Sequence, residues 1–332
     1  MSKRIRVAVL MGGVSGEHEV SLKSGSGVLA NLDADKYVGQ GVTIGKDGSW
    51  SLDGGEPLEM LKGLQQLVSE TDVVFLALHG PNGEDGSMQG LLHLLRLPYT
   101  GSDYYASSLA MNKPRTKDVY VCGGLTVAPH RMVYAGDQSQ LEPLAEELLA
   151  ALGSPVVAKT TKLGSSVGVG IARDAQSLAR LLADYLQFSG EVMVEQFIKA
   201  TEVTAPVIDN PRTGRCEALP LVEIRPTVSD WFDYRAKYEV GGALEICPAP
   251  ISAELTTECQ RIGLLAHRLL GCRGMSRTDI LIDGAGVCHV VETNTIPGFT
   301  ATSLLPQAAA QAGYSYSDLV DMLLQEALAR HR

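Results

Sequence analysis

The chain has 332 residues, 45% of them hydrophobic, and 28 Lys+Arg against 38 Asp+Glu leave a net charge of −10. A length of two or three domains with that apolar content supplies buried cores and excludes an intrinsically disordered chain. Only 5% of residues are aromatic, so the acidic chain lacks the basic stripe and stacking platforms of a nucleic-acid binder, although a few local lysines could still hold a small anion.

Arg4–Met11 alternates and then becomes continuously apolar, the pattern of a buried strand. Gly12-Gly13 breaks it, and Ser15 with Glu17 to Glu19 opens a helix reaching about Leu32. Strands follow at Tyr37–Ile44 and Asp72–Leu78, then the loop HGPNGEDG and a helix over Ser87–Leu95. Strand and helix alternating through short loops predict a doubly wound parallel sheet for a first unit, residues 1–103. The longest apolar runs, Val7–Met11 and Val73–Leu78, fall far short of the ~20 residues that cross a bilayer. The start MSKRIRVAVLMGG has too short an apolar part for a signal peptide. The expectation is a cytoplasmic protein with no membrane partner.

In a second unit, 104–200, helices are expected at Lys113–Cys122 and Leu141–Leu152. A strand at Pro155–Lys159, a glycine-rich turn at Gly164–Gly170 and a return strand to Ala172 come next, followed by helix Ala175–Leu186 and strand Glu191–Phe197. That order reads as antiparallel α+β. The third unit, 201–332, has strands near Glu202–Ile208 and Ala218–Arg225, and then an irregular stretch, Pro226–Leu244, long enough for a functional loop. Helix Ala253–Leu270, strands Thr278–Ile282 and Val287–Glu292, and helix Tyr316–Ala329 complete it. Six scattered cysteines without a C-x-x-C pair predict reduced core thiols rather than zinc ligands or disulfides.

Three constellations carry chemistry. In KTTKLGSSVGVG, Lys159 to Gly170, three glycines and two serines follow a strand lysine and leave backbone N–H groups open to phosphates. It is not a Walker A motif, Gly12-Gly13-x-x-Gly16 is not the dinucleotide fingerprint, and the H-R-D and D-F-G strings of a kinase are absent. Asp279 and Glu292 lie 13 residues apart, as neighbouring antiparallel strands joined at the Asp283–Gly286 turn would place them. Alternation sets Glu292 and Asn294 on one face, and hard oxygen donors of this kind suit Mg²⁺. Lys113, Lys159, Lys237 and Arg277 supply isolated cations. Together these features indicate an ATP–Mg²⁺ site.

Lys159 with its glycine loop, Glu195 with Phe197, Arg277-Thr278-Asp279 and Glu292-Thr293-Asn294 resemble the ATP-grasp superfamily. MGGVSGEHEVSL, LHGPNGEDGSMQG, LPYTGS, KLGSSVGVG, FDYRAKY, ICPAP and ETNTIPGFTATSLLP narrow the resemblance, over nearly the whole chain, to D-alanine–D-alanine ligases. It implies a three-domain fold in which two α+β domains sandwich ATP. The γ-phosphate would pass to the carboxylate of one D-alanine, and the amine of a second would attack the acyl phosphate. Lys113 and Lys159 would hold the α- and β-phosphates under the Ser165, Ser166, Val167 and Gly168 backbone. Glu195, Phe197 and Ile198 would face adenine, Glu202 the ribose, and Lys237 the γ-phosphate. Asp279, Glu292 and Asn294 would bind two Mg²⁺, with Mn²⁺ as a substitute and K⁺ as a candidate monovalent ion.

By the same resemblance, Glu17 would take the first ammonium, helped by His79, and Arg277 would neutralise the transferring phosphoryl group. Gly298 N–H would serve the oxyanion, and Ser303 with Leu304 the second carboxylate. Tyr238, in the lid 226–244, would bond Ser165 and Glu17 and favour peptide over ester. A homodimer is implied as well. Two positions depart from the pattern: Asn112 stands where aspartate is usual, and Thr160 where proline is common. The alternatives are a ligase joining D-alanine to D-lactate or D-serine, and a non-catalytic nucleotide binder.

Overall fold

Val7 to Leu10 are buried to within 1% of complete, so the first strand, β1 (Ile5–Gly12), must be covered on both faces. In the computed structural model, which describes residues 4–162, 168–227 and 241–331, β1 pairs in parallel with β2 (Tyr37–Ile44) and β4 (Val73–Leu76). The sheet order is β3-β2-β1-β4. Its edge strand β3 (Trp50–Leu52) is antiparallel to β2 and was not expected, being only three residues long. Helices α1 (His18–Ala30), α2 (Met60–Glu70) and α3 (Ser87–Leu94) belong to this unit. Gly12 makes the exit from β1 possible: its φ is +87°, and a Cβ there would sit 2.4 Å from the Ile44 carbonyl oxygen. The chain thereby turns directly into the helix that carries Glu17 at its start.

Helices α4 (Tyr104–Met111) and α5 (Lys113–Cys122) follow. Asp103 caps α4, accepting the Ala106 N–H at 2.9 Å. Asn112 caps α5 by accepting from Arg115 N–H, so asparagine does locally what the usual aspartate would. A second sheet, in the order β5-β8-β6-β7, consists of β5 (His130–Tyr134), β8 (Glu191–Gln196), β6 (Val156–Thr160) and β7 (Val169–Ala172), all antiparallel. Helices α6 (Leu141–Leu152) and α7 (Ala175–Ser189) seal it with Leu148, Leu152, Leu178, Leu182 and Leu186 against Val156, Ala158, Val192 and Val194.

The third sheet runs β12-β11-β9-β13-β14, with β10 also on β9. Its strands are β9 (Ala200–Asn210), β10 (Arg215–Ala218), β11 (Val222–Pro226), β12 (Ala243–Ile246), β13 (Met275–Asp283) and β14 (Cys288–Asn294). The single strand expected over Ala218–Arg225 is two, parted at Leu219–Leu221, because Pro220 has no N–H to give a ladder. Helix α8 (Ala253–Leu270) covers this sheet. The last helices, α9 (Leu304–Gln311) and α10 (Tyr316–Arg330), instead join the first sheet's core: Leu305, Leu323 and Leu324 pack in one cluster with Leu67 and Phe75. Tyr37 Oη donates to Asp321 at 2.8 Å, and Arg330 donates to the carbonyls of Tyr99 and Gly101. These contacts tie the third sheet's extension to the first unit and fix the walls of the cleft between them. Among the described residues, no helix is long and apolar enough to cross a membrane.

Candidate active site

Two adjoining cavities, about 470 and 580 Å³, share Lys113 and Glu292 on their walls. Both volumes suit small-molecule ligands. The first cavity gathers Lys159, Glu195, Phe197, Ile198, Glu202 and Asp279. The second gathers Glu17, His79, Arg277, Asn294, Gly298, Ser303 and Leu304. Residues from nearly every part of the chain therefore converge on one junction, at the β13–β14 pair.

The antiparallel register of that pair sets Asp279 opposite Glu292 and Arg277 opposite Asn294, with a bulge immediately after Asp279. Alternation along each strand sets Arg277, Asp279, Glu292 and Asn294 on the face toward the cleft. Thr278 and Thr293 point the other way, bonding each other at 2.8 Å, and Tyr120 Oη donates to Thr293 at 2.6 Å. Arg277 grips Asp279 with two bonds of 3.0 Å. Burial works against its charge, but Asp279 outweighs it and holds the guanidinium protonated. Lys113 Nζ stands 3.5 Å from Glu292.

Glu195 lies between two ammonium groups, 2.6 Å from Lys159 and 2.7 Å from Lys117. Burial raises the cost of its charge, yet Lys159 and then Lys117 prevail and hold the carboxyl at about 2. Lys117 is 2% exposed, and burial pushes its pKa down. Sequence reasoning passed over Lys117; its signal was the i, i+4 spacing from Lys113 on one face of α5. The Glu195 carboxylate thus positions Lys159 as well as lining the first cavity.

In the second cavity Glu17 begins α1 without capping it through its side chain. Its carboxylate instead comes close to Gly80, where a Cβ would lie 2.7 Å from Oε2. His79 is buried, with Nε2 3.0 Å from Ser24 Oγ. Burial pushes its pKa down against the pull of Glu17, which favours neutral imidazole. Ser303 starts α9 and exchanges bonds with Thr300, N–H at 3.1 Å and Oγ1 at 2.8 Å. A Cβ at Gly298 would approach Ser303 Oγ to 3.0 Å, so a larger residue there would press on the serine hydroxyl. The start of α9 adds partial positive charge suited to a carboxylate.

Of the expected site residues, Ser165, Ser166, Val167, Lys237 and Tyr238 lie outside the described residues. Gly168 is described: it has φ +69° and accepts the Thr160 N–H at 2.9 Å. Asp279, Glu292 and Asn294 provide hard oxygen donors that fit Mg²⁺. Asn294 Oδ1 accepts the Ile296 N–H at 3.0 Å and keeps a second lone pair for a cation.

Glu84, from the HGPNGEDG loop, lines the second cavity and was not singled out from sequence. Loss of hydration, with Glu17's charge adding to it, pushes its carboxyl up to about 8. Below that pH the group is neutral; above it, a second negative charge appears beside Glu17. The KM for a carboxylate-bearing substrate is therefore expected to rise as pH passes 8, and Glu84→Gln should remove that rise. KM profiles on both sides of pH 8 check this; the same rise in the variant would contradict it.

The family described as D-ala D-ala ligase C-terminus matches residues 121–325, and its N-terminal counterpart matches 6–65 and 54–102. A D-alanine–D-alanine ligase from Geobacter sulfurreducens is 41% identical over 97% of this chain and 94% of its own length. One from Syntrophobacter fumaroxidans is 40% identical over 98% and 99%. Among solved structures, the D-alanine–D-alanine ligase of Coxiella burnetii superposes with TM-score 0.84 at 28% identity, covering 99% of this chain and 95% of that one. The ATP complex of the Bacillus anthracis enzyme gives 0.80 at 30% identity, covering 98% of each. A D-Ala:D-Ser ligase from Enterococcus faecalis gives 0.83 at 29%, covering 98% of this chain and all of that one. Two matched family halves, near-complete coverage and the three sheets around one cleft make this chain a member of the D-alanine–D-alanine ligase family, with the ATP-grasp fold.

Proposed function

We propose that the protein joins two D-alanines at the expense of ATP, by way of an acyl phosphate, for cell-wall precursor synthesis. The observation that carries this reading is the shared wall: Lys113 and Glu292 border both cavities, so a nucleotide's terminal phosphate in one can meet a carboxylate in the other. Residues 1–103 would contribute Glu17 and His79, while 104–200 and 201–332 would enclose the nucleotide.

Phosphoryl transfer is chiefly positioning and charge neutralisation. Lys159, held by Glu195 at 2.6 Å, and Lys113 bind phosphate oxygens. Arg277, fixed by Asp279, neutralises charge at the transferring group and at the tetrahedral intermediate. Glu17 anchors the first ammonium, Gly298 N–H faces the oxyanion, and Ser303 with the start of α9 receives the second carboxylate. Water would hydrolyse an acyl phosphate, so the reaction needs a cover over the site, and that is the role the resemblance gives to 226–244 with Lys237 and Tyr238. Two Mg²⁺, held by Asp279, Glu292 and Asn294, would supply further charge neutralisation on the phosphates. The same reading takes the protein as a cytoplasmic homodimer.

The test is phosphate release from ATP with D-alanine, D-serine, D-lactate and L-alanine offered singly and in pairs. The expected result is phosphate and D-alanyl-D-alanine from D-alanine with Mg²⁺. No product from D-alanine, or equal product from L-alanine, would contradict the proposal. A mixed dipeptide or ester formed in preference would assign the second pocket to D-serine or D-lactate.

A further inference from the structure

At the far end of β9 from the catalytic carboxylates, Asp209, Cys216 and His267 place a carboxylate oxygen, a thiol and an imidazole nitrogen within 4.8 Å of one another. Asp209 lies five residues beyond Thr204, the cross-strand partner of Asp279, or about 17 Å along the strand. The active site therefore does not account for it. The register builds the cluster: Asp209 and Cys216 are directly opposed on β9 and β10, and His267 comes from the last turn of α8.

The imidazole decides what the cluster can do. His267 is 2% exposed, and its Nδ1 is 2.8 Å from Ser276 Oγ. Its Nε2 is buried without a hydrogen-bond partner and stands 3.5 Å from Asp209 Oδ2. That separation is too long for a good N–H···O bond, which prefers 2.7–3.2 Å. It does fit two ligands of one tetrahedral ion: at metal distances of about 2.0–2.2 Å, nitrogen and oxygen lie about 3.4 Å apart. The supporting bonds are those of a metal site as well. Ser276 orients the ring so that Nε2 faces the cluster, and Gly274 N–H holds the Asp209 carboxylate at 2.9 Å. Asp209 and Cys216 are only partly buried, which leaves an entry path.

We infer that Asp209, Cys216 and His267 form a second metal site, for a Zn²⁺-type cation that accepts sulfur, nitrogen and oxygen donors. Such an ion would pin the β9–β10 hairpin to the end of α8. The expectation of reduced core thiols fits Cys259, Cys272 and Cys288, which are free and buried, whereas Cys122 is exposed and Cys216 and Cys247 are half-buried; the three proposed ligands come from positions 209, 216 and 267, a spacing that no short motif records.

Cobalt tests the site apart from the catalytic one, because none of the expected catalytic ligands is a thiol. The metal-stripped full-length protein, titrated with Co²⁺ in excess Mg²⁺, should bind one Co²⁺ with a sulfur-to-cobalt charge-transfer band. Cys216→Ser should abolish that band, whereas Glu292→Gln should retain it. Ser276→Ala should weaken Zn²⁺ binding by about 10–100-fold, and should Cys216→Ser fail to fold, Asp209→Asn should still lower Co²⁺ affinity at least tenfold. Absence of the band in the parent protein, or its persistence in Cys216→Ser, would overturn the assignment.

Discussion

Glu292→Gln is expected to lower turnover by about 10²–10³-fold while the chain stays folded. Glu292 sits on the wall common to both cavities, opposite Asp279 and 3.5 Å from Lys113. Glutamine keeps its shape and removes its charge. The side chain is 31% exposed, so an amide there is hydrated and the fold loses little. The effect should fall on kcat and on the Mg²⁺ concentration needed for half-maximal rate. Near-normal kcat with unchanged Mg²⁺ dependence would remove Glu292 from the ligand set.

Glu195→Gln should act in the opposite way, on stability first. It leaves Lys117 and Lys159 facing each other across a buried amide, and uncompensated buried charge of this kind costs roughly 3–5 kcal/mol. At a few degrees per kcal/mol, Tm should drop on the order of 10 °C. The pH dependence has a definite sign. In the parent protein, against the cost of burial, Lys159 and Lys117 hold the Glu195 carboxyl at about 2, below the usual glutamate value of 4.5. Its contribution is complete above 4.5 and lost as pH falls toward 2, and the variant should lack that acid-side loss. In the variant Lys117 keeps burial but loses its counter-charge, so its pKa falls further. A lysine depressed on folding makes stability rise with pH, so the variant should recover part of the loss in alkali. Urea unfolding at neutral and alkaline pH measures this. An equal deficit at both pH values, or none, would contradict the two-lysine account.

The strand pair at the centre of the site was readable because a 13-residue spacing with a turn-forming Asp-Gly-Ala-Gly between apolar runs allows little else. The same is true of α5, α6 and α8, whose observed bounds match the expected ones, Lys113–Cys122, Leu141–Leu152 and Ala253–Leu270. What stayed hidden depends on contacts distant in sequence. Trp50–Leu52 is a strand only because β2 offers it an edge, and α9 is short, Ala-rich and held by the first unit's core. Lys117 reads as an ordinary helix cation until β8 brings Glu195 against it. Glu84 reads as a loop acid until Glu17 shares its cavity. Asp209, Cys216 and His267 meet only through a register and a helix end.

If a phosphate in the first cavity meets a carboxylate in the second, one oxygen atom must pass from the carboxylate to the phosphate. D-alanine labelled with heavy oxygen in its carboxylate, turned over with ATP and Mg²⁺, should deliver one labelled oxygen to each phosphate released. When the amine attacks the acyl carbon, the C–O bond breaks and the phosphate leaves with the carboxylate oxygen through which it was bonded. Phosphate free of label, formed together with dipeptide, would mean that the carboxylate is never phosphorylated and that the two cavities do not work as one site.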